Sequence, residues 1–442
     1  MAIDPDIQPH LDALTDRIVR VEARATQAEQ DLAIIEPSIA QLEQTVAALE
    51  QTPGTPGGIK NPAIIVAAAN SPQAIKARAD VVCTGTGDAA AINRITEPVQ
   101  LVDGCYQLEQ PLLIQGRGDA PLGWSFATVL MKAQQFVNAG RGSTPALIKA
   151  ADTVDGNRAA AIQIRDLFLA GRFRGNFGAG GASGTPIAGI WLEITGDDNN
   201  DPADGWPVGG PDASDNWSSL SRLRVWDTTT AVYVASTAGA RGFEYSDISI
   251  ARLQAGGAGL HVAASDARID RVTASSGGAA NATGILLNGG NAVMANCKAF
   301  FFNQTGSVGI HVASSRASVS GCEAQDNRTG IKVSAVHAKL TGCRVDNMNA
   351  GMDVGLDLTS ASHYSVSGQM VQTRGSGSYA TGIKFGTAAT SGLVDGYIDA
   401  STYGSEPGIT TPVTAPPAGV ETRIVVRRAS GVTTVRRELP NG

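Results

Sequence analysis

The chain has 442 residues, 43% of them apolar and only 5% aromatic, with 52 glycines and a formal net charge of −7. That is ample material for a core, and many glycines with few aromatics suit tight corners better than a catalytic α/β fold, while the charge balance argues against nucleic acid as a partner. No basic stretch with a following apolar core opens the chain and no apolar run approaches about 18 residues, so neither a secretion signal nor a membrane span is expected.

Residues 11–49 hold an unbroken heptad register. Leu11, Ile18, Ala25, Leu32, Ile39 and Val46 occupy a, and Leu14, Val21, Ala28, Ile35, Leu42 and Leu49 occupy d. Six heptads without a miss predict a coiled-coil helix of roughly 58 Å, whose apolar seam needs partner chains. Leu, Ile and Val are mixed at both positions, without the division that favours dimers, which points to three strands and a homotrimer. Pro37 falls at f, where it kinks the helix without breaking the seam. Residues 1–50 carry ten acidic and three basic side chains, hence −7, the formal charge of the whole chain, so the remainder is near neutral. The predicted stalk, residues 1–52, gives way to a Pro/Gly linker at 53–60.

Between residues 259 and 385 one four-residue pattern recurs six times, at intervals of 25, 25, 21, 25 and 27 residues: Gly259-Leu-His-Val262, Gly284-Ile-Leu-Leu287, Gly309-Ile-His-Val312, Gly330-Ile-Lys-Val333, Gly355-Leu-Asp-Leu358 and Gly382-Ile-Lys-Phe385. A repeat of that length marks a solenoid in which each unit buries its apolar face against its neighbours. Apolar positions alternate with a column of His261, Leu286, His311, Lys332, Asp357 and Lys384, the period of a strand with one buried face, so that column is expected to look outward. His261 and His311 then read as surface residues. Eight to ten residues after each glycine a second strand begins, with Ile269, Met294, Val319, Leu340, Val366 and Val394 facing inward. Two residues further come Arg271, Asn296, Gly321, Gly342, Gly368 and Gly396, mostly types that tolerate positive φ, which places a corner there. Next to the corner, Cys297, Cys322 and Cys343 fall at one position of three successive rungs. No His or fourth Cys shares their column, so they read as buried thiols and not as a metal site; no metal and no cofactor is expected, and five cysteines do not make a disulfide framework. Beside them Lys298, Glu323 and Arg344 alternate in sign and predict an ion ladder in solvent.

Upstream, short apolar runs from Val99 to Ile250 continue the same grammar, interrupted by a glycine-rich insert at 170–188 and an acidic one at 195–217. Downstream, Arg423-Ile-Val-Val-Arg427 and Val432-Thr-Thr-Val-Arg436 predict a hairpin around Gly431.

The segment Ala79-Asp-Val-Val-Cys-Thr-Gly-Thr-Gly-Asp-Ala-Ala-Ala-Ile-Asn-Arg-Ile95 resembles the entry cap of pectate-lyase-like β-helices in bacteriophage tail proteins, where a strand, an Asp/Gly turn and a helix of the Asp-x-x-x-Ile-Asn kind cover the first rung. With the stalk, the linker and the C-terminal β segment, the whole chain resembles a phage tail fibre or tailspike, also called a minor tail protein. The resemblance implies a mainly β fold: an entry cap at 61–96, a right-handed parallel β-helix at 97–400 and a C-terminal β segment at 401–442. It also implies a virion-tail location, attachment to other tail proteins through the N-terminal part, and contact with host cell-surface glycan, with a polysaccharide-degrading hydrolase or lyase as the alternative. Relatives share no catalytic motif, so no active residue is carried over.

Trp191 and Glu193 alternate with apolar neighbours and so share an outward face. The insert that follows supplies Asp197, Asp198, Asp201, Asp204, Trp206, Asp212, Asp215 and Trp217. Aromatic faces beside carboxylates suit sugar rings, clustered oxygens suit calcium, and paired carboxylates run glycoside hydrolysis. A solvated polar loop or subunit contact is the plainer reading of the same insert, and these readings stay open at this point.

Overall fold

The structure is a computed structural model. It describes residues 63–95, 99–114, 122–123, 128–150, 162–173, 183–194, 218–236, 243–254, 256–349, 351–374, 377–387, 391–399, 409–428 and 431–437. The heptad residues 11–49 and the Pro/Gly linker lie outside these.

Among the described residues, two long sheets run side by side through the body, one of 21 strands and one of 11. The 11-stranded sheet stacks one strand per rung from Leu112–Ile114 to Ile409–Val413, each parallel to and in register with the next. In it Leu260, Ile285, Ile310, Ile331, Leu356 and Ile383 form a single inward ladder, every member fully buried. The second-strand column from Ile269 to Val394 is buried as well. Each rung therefore adds the same apolar layer at about 4.8 Å spacing, and like packs on like.

The repeated glycine has a steric cause. A Cβ on Gly259, Gly284 or Gly330 would stand 2.4–2.5 Å from the carbonyl oxygen of the glycine on the next rung, and one on Gly382 would stand 2.6 Å from the Pro412 carbonyl. The rungs touch backbone to backbone along this column, which excludes any side chain.

The corner column also forms, with one exception. Arg271, Asn296, Gly321, Gly342 and Gly368 have φ between 52° and 61°, whereas Gly396 lies within the unbroken strand Gly392–Asp399 and makes no left-handed turn. Upstream the same corner is held by Asp166, Arg222 and Asp247, at φ 59°, 49° and 55°. Cys297, Cys322 and Cys343 are each 1% exposed and unpaired beside it. The predicted ion ladder forms only in part: Lys298 pairs with Glu323 at 3.5 Å, but Arg344 turns to Asp346 at 3.0 Å, because that carboxylate is buried on its own strand and must be neutralised.

The entry segment contains the helix Asp88–Ile92, with the strand Ile64–Ala67 paired to Val81–Val82 and Val99–Leu101. Asp88 is 1% exposed and accepts from the Gly85 and Gln107 amides at 2.9 and 3.1 Å, while Asn93 spans Pro111 and Leu113. The polar members of the Asp-x-x-x-Ile-Asn motif thus fasten the helix to the first rung. At the other end parallel pairing continues past residue 400 through Ile409–Val413 and Val420–Arg428, and the latter forms the expected antiparallel hairpin with Gly431–Arg437.

Candidate functional site

The strand Ala188–Ile194 explains its own two faces. Ile190 and Leu192 are fully buried, and Trp191 and Glu193 point out, half-buried. In-register pairing sets Trp191 against Lys149 on one neighbouring rung and against Tyr233 on the other, and Tyr233 against His261 beyond. Planar side chains in register at rung spacing have little choice but to stack. The Trp191 and Tyr233 rings lie 4.0 Å apart at 26°, and Tyr233 meets His261 edge-on at 4.8 Å and 67°. Such ring pairs contribute about 0.5–1.5 kcal/mol each beyond the area they bury.

Glu193 is fixed from two sides. Its Oε1 accepts the Trp191 indole N–H at 2.7 Å. Its other oxygen lies over Gly142, where a Cβ would stand 2.7 Å from it and where φ is +81°, so glycine is needed there for both space and backbone. The loop carrying Gly142 is tied down by Lys149, a fully buried cation whose Nζ donates to the Gly142 carbonyl at 2.7 Å and to Asn138 Oδ1 at 3.0 Å. Burial, and after it the Glu193 charge, pushes the Tyr233 phenol up, so it stays a neutral donor. The result is a rigid outward patch of two stacked aromatic rings and a pre-positioned carboxylate.

His261 and His311 were expected at the surface, but both are half-buried in this outward column. Burial lowers the pKa of each, that of His311 to about 4, with Lys332 adding to the shift and Asp357 opposing it, and His311 Nε2 bonds Ser334 Oγ at 2.8 Å. Neighbours one rung above and below cover an imidazole that the strand pattern alone leaves outside.

Of the sequence-predicted site residues, Trp191 and Glu193 come together. Asp197, Asp198, Asp201, Asp204, Trp206, Asp212, Asp215 and Trp217 lie outside the described residues. The sequence reading missed Lys149 and Tyr233, although each interrupts an apolar run, in Ala-Leu-Ile-Lys-Ala and Val-Tyr-Val. It also missed Asp346, 3% exposed at its side chain and bound by Arg344 and Arg374 at 3.0 and 2.8 Å; burial raises its pKa against the pull of Arg344. Among the described residues no group of three or more His, Cys, Asp or Glu gathers as metal ligands would.

Residues 213–370 match a family model described as a right handed beta helix region. No curated protein matches the chain by sequence. Similar solved structures include the A-module of the Azotobacter vinelandii mannuronan C-5 epimerase AlgE4, at 14% identity and TM-score 0.49 over 77% of this chain and 95% of that one. Tailspike protein 2 of Escherichia coli O157:H7 bacteriophage CAB120 shows 13% identity and TM-score 0.42 over 72% and 42%. Gene product 12 of bacteriophage phi29, in its pre-mature form, shows 12% identity and TM-score 0.40 over 80% and 56%. The family match and the parallel ladders make the described chain mainly β, with long parallel sheets and a right-handed β-helix.

Proposed function

We propose that the chain is a subunit of a homotrimeric phage tail fibre or tailspike, joined to other tail proteins through its N-terminal part, whose rod contacts host cell-surface glycan at the Trp191 face. The observation that carries the glycan reading is the Trp191–Tyr233 stack with Glu193 held against it at 2.7 Å. A sugar offers an apolar C–H face and a ring of hydroxyls, and it is held best by aromatic surface and acceptors already locked in place, because ordering them on binding costs affinity. Among the described residues the face brings one carboxylate to the aromatic pair, where hydrolysis by the common route uses two at ~5–9 Å, and adhesion is the reading proposed, with a polysaccharide-degrading enzyme as the alternative. The trimer rests on the heptads of residues 11–49, and the tail location on the entry-cap resemblance at 79–95.

The test is attachment of the full chain to host envelope glycan. Trp191→Ala and Tyr233→Ala should each weaken it about tenfold or more, with unchanged circular dichroism and no oligosaccharide released. Attachment unaltered in both variants would remove the site, and soluble oligosaccharide released by the wild type but not by Glu193→Gln would turn the reading to an enzyme. Light scattering should give about three times the 45.4 kDa chain mass; a monomer at micromolar concentration would end the trimer proposal.

A further inference from the structure

A second corner column runs where each strand of the 11-stranded sheet leads into the next strand of the 21-stranded one, through Asp266, Asn291, Arg316, His337 and His363, all left-handed, with φ between 51° and 61°. Asp, Asn and His are the side chains most often found with that backbone, whereas a long side chain such as that of Arg316 gains nothing from it. The first corner column also carries arginines, but there each is answered by an acid on the adjacent rung, Arg222 by Asp166 and Arg271 by Asp247. Here the nearest acid of the column, Asp266, accepts from Asn291 at 3.1 Å, and the next three rungs present Arg316, His337 and His363 without a carboxylate among them.

Of these, His337 and His363 open onto a shallow cleft of roughly 490 Å³, lined also by Lys339, Ser365 and Ser391, with no Asp or Glu among the described residues that line it. The two imidazoles stack across adjacent rungs, with centroids 5.0 Å apart at 21°, and His363 Nδ1 bonds Ser391 Oγ at 2.7 Å, which fixes its ring. Lys339 is exposed, and among the described residues neither it nor Arg316 has an acidic partner within salt-bridge distance. The closest acid along the Lys339 row is Glu421, three rungs away past Ser365 and Leu393. On a body that is near neutral outside residues 1–50, this gathers N–H donors and cations on one face.

We infer that the cleft around His337, Lys339 and His363 binds an oxyanion, a carboxylate or phosphate group, either free in solution or as a substituent of an acidic polysaccharide. Imidazole, ammonium and hydroxyl groups all donate to such oxygens, and Arg316 one rung along adds a planar fork suited to them. The inference is independent of the Trp191 face, which lies on the outward column of the sheet and not at its edge.

The experiment is calorimetric titration of the full chain with inorganic phosphate, with polygalacturonate and with neutral dextran at fixed ionic strength. Binding of phosphate or polygalacturonate but not of dextran is expected, with polygalacturonate the tighter if the group belongs to a polymer and phosphate if it is free. The variants His337→Asn and His363→Asn keep a residue that this corner already accepts at Asn291, so the fold should persist; together with Lys339→Gln they should lower affinity at least tenfold. Absence of binding by both anions, or equal binding in the triple variant, would overturn the site, and neither result bears on Trp191→Ala.

Discussion

Arg222 and Asp166, 56 residues apart in sequence, sit at consecutive left-handed corners and hold each other through two parallel bonds, Nε to Oδ1 at 2.5 Å and Nη2 to Oδ2 at 2.6 Å. Arg271 and Asp247 repeat the arrangement at 2.6 and 3.0 Å. A left-handed non-glycine residue costs about 1–2 kcal/mol, and a bidentate pair offsets part of that. Exposure of the arginine side chain, 47%, keeps the pair near the surface range of roughly 0.2–1 kcal/mol.

Two substitutions at one position separate these terms. Arg222→Ala loses the pair and keeps the backbone cost, so it should destabilise by about 0.5–1 kcal/mol, while Arg222→Gly removes both and should be neutral or slightly stabilising. Chemical denaturation of the two variants side by side checks this; equal loss in both would mean that the corner carries no backbone strain.

The glycine ladder should be intolerant of a single methyl group. Gly284→Ala would put a carbon 2.5 Å from the Gly309 carbonyl oxygen and 2.7 Å from Ala299 Cβ, so a loss of about 2–3 kcal/mol is expected. At Gly290 the nearest contact is Ser265 Oγ at 3.6 Å, and Gly290→Ala should stay within roughly 0.5 kcal/mol. Thermal unfolding that fails to rank the two variants in this order would contradict the backbone contact.

Cys297, Cys322 and Cys343 should resist thiol reagents in the folded state and react on denaturation. The hydrogen bond with the Cys297 thiol, and after it burial, push Cys322 up to about 12 against the opposing pull of Cys343, so the reactive thiolate is scarce as well as enclosed. Native labelling of these three within minutes, followed by peptide mass analysis, would show that the column opens to solvent.

His311 should make the rod acid-sensitive. Its folded pKa lies at about 4 against 6.5 when free, so the unfolded chain binds the extra proton between those values. Stability is therefore full above about pH 6.5, falls as pH drops toward 4, and changes no further below that on this account. Allowing for partial solvent screening the effect is roughly 1–2 kcal/mol. His311→Gln should flatten the decline measured by denaturant titration at pH 4.5 and 7.5, and an unchanged slope would assign it elsewhere.

The amino-acid order makes the solenoid legible, because a 21–27-residue spacing of Gly-apolar-x-apolar buries that face against its own copies, and period-2 alternation then assigns inside and outside. It placed Trp191 and Glu193 on one face for the same reason. What each column meets on the next rung is set by the stacking and not by local pattern. The repeat glycine is dictated by a carbonyl on another rung, 21–30 residues away in sequence, that a Cβ would meet at 2.4–2.8 Å, which no local preference encodes. Tyr233 joins Trp191, and Lys149 is buried under the Gly142 loop, because register across interrupted rungs sets them side by side. The corners at Asp166, Arg222 and Asp247 are not legible in the sequence because Arg222 carries no local preference for a left-handed backbone and its pairing with an acid on a neighbouring rung exists only in the stacked fold. Intrinsic preference writes a strand's faces into its sequence; the partner above and below is fixed only when the rungs stack.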